Sequence, residues 1–111
     1  MAGITHIVLF QFNEHVGTET VDDVVARMFR LKNECIHPDT GKPYILSSRG
    51  GHDNSVEGRE NGITHAFVVE FANAEDRDYY TFKEPAHLKF IDSLKDIAKQ
   101  VVVVDFSNNS F

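Results

Sequence analysis

The sequence predicts an α+β domain in which a four-stranded antiparallel sheet carries its helices on one face. Three observations lead there. Four segments are rich in branched and aromatic residues, and the two longest alternate at a period of two, as strands do. The segments between them repeat apolar residues at three and four, as helices do. Their order is β-α-β-β-α-β, the split βαβ arrangement.

The first strand spans 4–12. Alternation puts Ile4, His6, Val8, Phe10 and Phe12 on one face, and Thr5, Ile7, Leu9 and Gln11 on the other. A helix is expected over 20–35, with Thr20 as N-cap and Asp23 in the capping-box position. Its apolar stripe is Val21, Val24, Val25, Met28, Leu31 and Cys35. A polar turn runs from His37 to Pro43, and a short second strand from Tyr44 to Ser48.

Residues 49–62 hold four of the seven glycines and few large apolar side chains, so they read as an exposed loop. They lack the glycine and lysine spacing of a phosphate cradle. The third strand is 63–72, with Ile63, His65, Phe67, Val69 and Phe71 on one face and Thr64, Ala66, Val68 and Glu70 on the other. Asn73 can cap a helix over 74–83. Pro85 suits the first turn of another, 85–98, with a stripe of His87, Phe90, Ile91, Leu94, Ile97 and Ala98. Val101 to Phe106 closes the sheet.

The helices can cover only one sheet face. If they cover the His6, Val8 and Phe10 side, the open side carries Ile7, Leu9, Ala66 and Val68. It also carries one set from the last strand, either Val102, Val104 and Phe106 or Val101 and Val103. A patch of this kind marks an interface. The expected partner is a second copy, sheet face to sheet face.

The 111 residues are expected to form one domain, 1–111. A net charge of −6 argues against nucleic acid and against a polybasic membrane anchor. The longest apolar runs are far short of a membrane span. No basic-then-apolar leader precedes the first strand, and Cys35 is the single cysteine, so a cytoplasmic protein is expected. Cys35 reads as a packing residue.

Several segments have a familiar pattern: Thr5 to Phe12, Gly62 to Phe71, Asp76-Arg77-Asp78-Tyr79-Tyr80 followed by Pro85-Ala86-His87, and Val103-Val104-Asp105-Phe106. In this order they resemble the stress-responsive dimeric α/β-barrel family, over nearly the whole chain. The resemblance implies a ferredoxin-like fold and a homodimer. Some members of that family are boiling-stable plant stress proteins. Others are olivetolic acid cyclase-like polyketide cyclases, which close a linear polyketide thioester by an aldol reaction. The cyclases use a Pro-Ala-His histidine, a tyrosine shortly before it, and no cofactor.

Carried over, the resemblance implies that His87 is the catalytic base and that Tyr80 or Tyr79 polarises the carbonyl. The tyrosines here stand about two residues further from Pro-Ala-His than in the cyclases, and Tyr80 is preferred. His6 and His65 would orient substrate or relay protons. Alternation independently places both on the helix-facing side, and His87 heads an apolar stripe. The pocket walls would be Val8, Phe10, Val24, Val25, Met28, Phe67 and Phe90. Imidazole titrates near neutrality, which suits proton transfer.

Other readings of the three histidines stay open. Each can be a core residue satisfied by a backbone partner. Three imidazoles can also bind zinc, but no helical i, i+4 pair and no carboxylate at ligand spacing accompanies them. The expectation is no metal. His15, His37 and His52 fall in predicted loops and are expected in solvent. Two functions remain in view: a small acid/base enzyme on a β-carbonyl small molecule, and a non-catalytic stress-responsive dimer. A cofactor-free monooxygenase, or a haem-binding relative on the same kind of barrel, is a third.

Overall fold

The structure, a computed structural model, describes residues 3–111. Its elements are β1 (Ile4–Phe12), α1 (Thr18–Glu34), β2 (Ile45–His52), β3 (His65–Phe71), α2 (Ala74–Phe82), α3 (Pro85–Asp92) and β4 (Ala98–Phe106). The strands form one antiparallel sheet in the order β2-β3-β1-β4. This is the expected ferredoxin-like arrangement, with α2 and α3 together in the place of the second helix.

The core lies between the helices and one sheet face. In β1 the alternation holds: Ile4, His6, Val8 and Phe10 are buried. Phe67, Val69 and Phe71 of β3 join them, and α1 contributes Val24, Met28 and Leu31 at four- and three-residue steps. Burying each such side chain contributes about 1.5–3 kcal/mol. Cys35 is fully buried in this core, and burial pushes its thiol far above the usual range, with Glu84 and Glu34 adding to the rise. It packs.

The helix starts and stops differ from expectation in two places. Helix α1 begins at Thr18, two residues before the predicted cap, and Gly17 is its N-cap with no side-chain hydrogen bond. The backbone enters the helix early because Thr20 and Val21 both donate to the Gly17 carbonyl. Helix α3 ends at Asp92 rather than at 98. The Ser93 hydroxyl donates to the Phe90 carbonyl at 2.6 Å, and tight turns then carry Leu94 and Ile97 inward. Ala98 therefore starts β4, opposite Phe12. Asn73 caps α2 as expected, accepting from the Asp76 N–H at 2.8 Å.

The predicted loop at 49–62 is the larger correction. Strand β2 continues through Gly50 and Gly51 to His52, and Gly50 pairs with Phe67. A Cβ at Gly50 would stand 2.5 Å from the Phe67 ring and 2.5 Å from the Ala66 carbonyl. The glycine lets an aromatic ring cross the strand, which is a strand use of glycine and not a turn signal. The true turn ends at Gly62, with φ +85°. Strand β3 begins at His65, two residues later than expected.

Register decides which residues of β4 face which way. His6 pairs with Asp105, Val8 with Val103 and Phe10 with Val101, so these share the helix side. Ile7 pairs with Val104 and Leu9 with Val102. The open face is therefore Ile7, Leu9, Ala66, Val68, Val102, Val104 and Phe106, and of these Val104 (52%) and Phe106 (44%) are the most exposed. No helix among the described residues is long and apolar enough to cross a membrane.

Candidate active site

The helices leave part of β4 uncovered on their own side. Val101 and Val103 point toward the helix layer yet are 46% and 52% exposed. The space above them is a cavity of about 720 Å³, which runs inward to His6, Tyr80 and His87. That volume suits a small molecule. The walls are chiefly apolar: Val8, Phe10, Met28, Phe90, Ile91 and Leu94. The exposed residues Phe82, Ile91, Lys95, Val101 and Val103 mark its mouth.

The junction between α2 and α3 sets His87. Lys83 and Glu84 both send their N–H groups to the Tyr79 carbonyl, at 2.8 and 2.9 Å. Pro85 has no N–H to give. The Tyr80 carbonyl is thus an unpaired helix-end acceptor, of the kind every helix leaves at its C-terminus. Glu84 caps α3 by accepting from the Ala86 N–H at 3.3 Å, and the first turn swings His87 back over α2. His87 Nδ1 meets the Tyr80 carbonyl at 2.7 Å, and the two rings stack at 3.8 Å.

This contact fixes the tautomer. A carbonyl can only accept, so Nδ1 holds the proton and Nε2 of the neutral ring is a bare acceptor. Burial lowers the His87 imidazole to about 4; the Tyr80 bond opposes that shift and His6 adds to it. The ring is neutral at pH 7.

His6 is held from the other side. Its Nδ1 lies 2.6 Å from Asp105 Oδ1, and Arg77 Nη1 donates to Asp105 Oδ2 at 3.1 Å. Arg77 also donates from Nε to Asp78 at 2.7 Å. The His6 ring packs edge-on against Tyr80 at 5.7 Å and Phe71 at 6.0 Å. Two imidazoles therefore line one cavity, each tied at Nδ1, one to a carbonyl and one to a carboxylate.

Of the two tyrosines, Tyr80 lines the cavity and is almost wholly buried. Burial raises its phenol well above the ordinary range, with Cys35 and Glu84 adding to the rise. Tyr79 stands outside the cavity, against Tyr44 at 5.9 Å and His37 at 6.3 Å.

Other residues expected to line the site lie elsewhere. His65 is on the expected sheet face but beyond the cavity's end, where its ring meets Phe12 at 5.2 Å and His52 at 5.0 Å. Burial and His52 lower its imidazole, opposed by Asp22. Val24, Val25 and Phe67 pack in or against the core and do not line the cavity. His15 is exposed as expected. His52 lies on β2 instead of in a loop. His37 is half-buried, with Nε2 3.3 Å from Asp76, so it is not simply solvated.

Asp105 and Arg77 stand in segments that carry the resemblance, but the sequence reading gave neither a role in the site. One signal was available: Asp105 is the only charge in the run Val101 to Phe106. Only the β1–β4 register puts it opposite His6. Among the described residues no three His, Cys, Asp or Glu side chains converge as a metal site.

The sequence profile described as Stress responsive A/B Barrel Domain matches residues 4–108. No curated protein sequence matches the chain. Among solved structures, the chain is similar to a hydroxynitrile lyase from Passiflora edulis, with 23% identity, a TM-score of 0.84, and 99% of this chain and 97% of that chain covered. It is similar to a dimeric ferredoxin-like protein from Thermobifida fusca (21% identity, TM-score 0.72, 96% and 91% covered). It is also similar to SnoaB, a cofactor-independent oxygenase from Streptomyces nogalater solved as a mutant (11% identity, TM-score 0.68, 100% and 97% covered). At these identities the likeness establishes the fold.

Proposed function

Because the chain belongs to the stress responsive A/B barrel domain family, we propose that it is a cofactor-independent acid/base catalyst of the polyketide-cyclase kind. Its substrate is a β-carbonyl small molecule, and its reaction is proton transfer leading to aldol closure. One observation carries the reading. A cavity of about 720 Å³ with apolar walls ends on His87, whose Nε2 is an unprotonated acceptor. A core filled to native density would have supported a purely structural dimer instead.

His87 is the base. A neutral, desolvated imidazole with one nitrogen tied is oriented to take a proton from carbon. Tyr80 shares the cavity and braces His87 by stacking; its phenol is the candidate to polarise the carbonyl. Met28, Phe90 and Val8 give the acyl chain an apolar bed. Proton transfer and aldol C–C bond formation involve no net oxidation or reduction, so the reaction needs no electron carrier. Two of the similar folds carry small-molecule chemistry by name, a lyase and a cofactor-independent oxygenase, and this agrees in kind with the reading.

The working unit is a homodimer joined through the face of Ile7, Leu9, Val68 and Val104. The dimeric protein from Thermobifida fusca favours it, and so does the apolar character of that face. A buried, unreactive Cys35 fits a reducing cytoplasm.

The test is product analysis. Linear β-polyketide thioesters of increasing chain length are incubated with the wild-type protein, and cyclised acids are quantified by mass spectrometry. Cyclised product above the spontaneous rate supports the reading. Only spontaneous products across the series overturn it.

A further inference from the structure

We propose that Asp105 and Arg77 are positioning residues that make His6 the proton donor of the pocket, opposite His87 as proton acceptor. The inference rests on the function proposed above and deepens it. It begins from a difference between two imidazoles that share one cavity. His87 is tied to a carbonyl, which is neutral. His6 is tied to a carboxylate at 2.6 Å. A carboxylate partner favours the charged form of the imidazole it touches; a carbonyl in an apolar pocket does not. Sites that run acid and base steps together are built on such a split between neighbouring groups.

The geometry of Asp105 serves this end. Arg77 occupies Oδ2 at 3.1 Å, which leaves Oδ1 for His6. Asp105 sits directly across the β1–β4 ladder from His6, so backbone register sets their spacing. Nδ1 of His6 holds its proton toward Asp105, and the ring lines the cavity. His6 is 5% exposed, so its ring is shielded from bulk water.

The step balances. The substrate C–H bond breaks and its proton goes to His87 Nε2. The C–H electron pair becomes the C=C bond of an enol. The carbonyl oxygen receives the displaced π pair and takes the proton from His6 Nε2. In the closing half, the enol carbon attacks a second carbonyl, the enol O–H returns its proton to His6, and the new alkoxide takes the proton from His87. Both imidazoles end as they began.

The test reads tautomers and needs no substrate. The intact wild-type protein is labelled with ¹⁵N-histidine, and side-chain ¹H–¹⁵N correlations are recorded beside those of Asp105→Asn, Arg77→Lys and Arg77→Gln. His6→Asn assigns the His6 signals. The expected wild-type pattern is a His6 ring protonated on both nitrogens, with its Nδ1 proton strongly hydrogen-bonded, and a neutral Nδ1–H ring at His87. Asp105→Asn should leave His6 with a single ring proton and leave His87 unchanged. Arg77→Lys should keep the wild-type pattern, and Arg77→Gln should weaken it. With a turned-over substrate, Asp105→Asn should lower kcat by at least about a hundredfold with KM little changed.

A wild-type His6 that carries no proton on Nε2 overturns the proposal, and so does an Asp105→Asn spectrum identical to wild type. If Asp105→Asn does not fold, the wild-type and Arg77→Gln spectra decide. A protein with the expected tautomers that turns over no carbonyl substrate would instead overturn the proposed function and leave the positioning pair in place.

Discussion

The backbone carbonyl of Tyr80 accepts the Nδ1 proton of His87 at 2.7 Å, and the two rings stack 3.8 Å apart. One residue thus orients the other twice, by main chain and by side chain. The helix break between α2 and α3 is what frees that carbonyl, so the helix junction and the candidate base are one device.

This burial has a consequence for stability. His87 is lowered to about 4 in the folded protein, against 6.5 for the unperturbed ring. Between those values the unfolded chain binds a proton that the folded one does not, so stability rises with pH. The His87 contribution is therefore fully present above pH ~6.5 and is lost as pH falls toward ~4. Urea midpoints of wild type and His87→Gln, compared from pH 7 to pH 4, should converge or cross as pH falls, by on the order of a few kcal/mol. Parallel pH curves would show that His87 is not buried as described.

Assembly should depend on the open sheet face. The wild type should sediment as a dimer at micromolar concentration, with an interface on the order of 1,600 Å². Leu9→Asp should give monomers or unfolded protein, and Val104→Asp should do the same because Val104 pairs with Ile7 at the centre of that face. A wild-type monomer, or a dimer indifferent to both changes, speaks against the interface.

Gly50 should be intolerant of a side chain while Gly51 is not. A Cβ at Gly50 meets the Phe67 ring and the Ala66 carbonyl at 2.5 Å, whereas one at Gly51 meets nothing within 4 Å. Gly50→Ala should cost about 1–3 kcal/mol in thermal or urea unfolding. Gly51→Ala should stay within about 0.5 kcal/mol. Equal behaviour of the two would mean that the ring does not cross the strand.

Most of the fold was legible because it rests on periodicity. The alternation of β1 named His6, Val8 and Phe10 as inward, and they are buried. The Asn73 cap was readable from one residue. What stayed hidden depends on pairing between distant strands. Glycines at 50 and 51 look like a loop until Phe67 is known to lie opposite. The last helix reads on to Ala98 because its stripe continues, but Leu94 and Ile97 reach the core through turns. In the site, periodicity set the face of His65 but not its position along the strand, and that position puts it past the cavity. The choice between Tyr79 and Tyr80 turned on where α2 ends. Asp105 and Arg77 come from different elements, and only register joins them to His6.

The central claim is that His87 takes a proton from substrate. The most direct measurement is turnover of a linear β-polyketide thioester by wild type and His87→Ala, with melting temperature and dimer mass recorded on the same samples. Tyr80→Phe, run beside them, should show a smaller loss than His87→Ala, since one hydrogen bond is removed and the ring stack is kept. For His87→Ala the account predicts a fall of at least about a hundredfold in kcat while the variant remains folded and dimeric. A folded, dimeric His87→Ala that keeps wild-type turnover would contradict it.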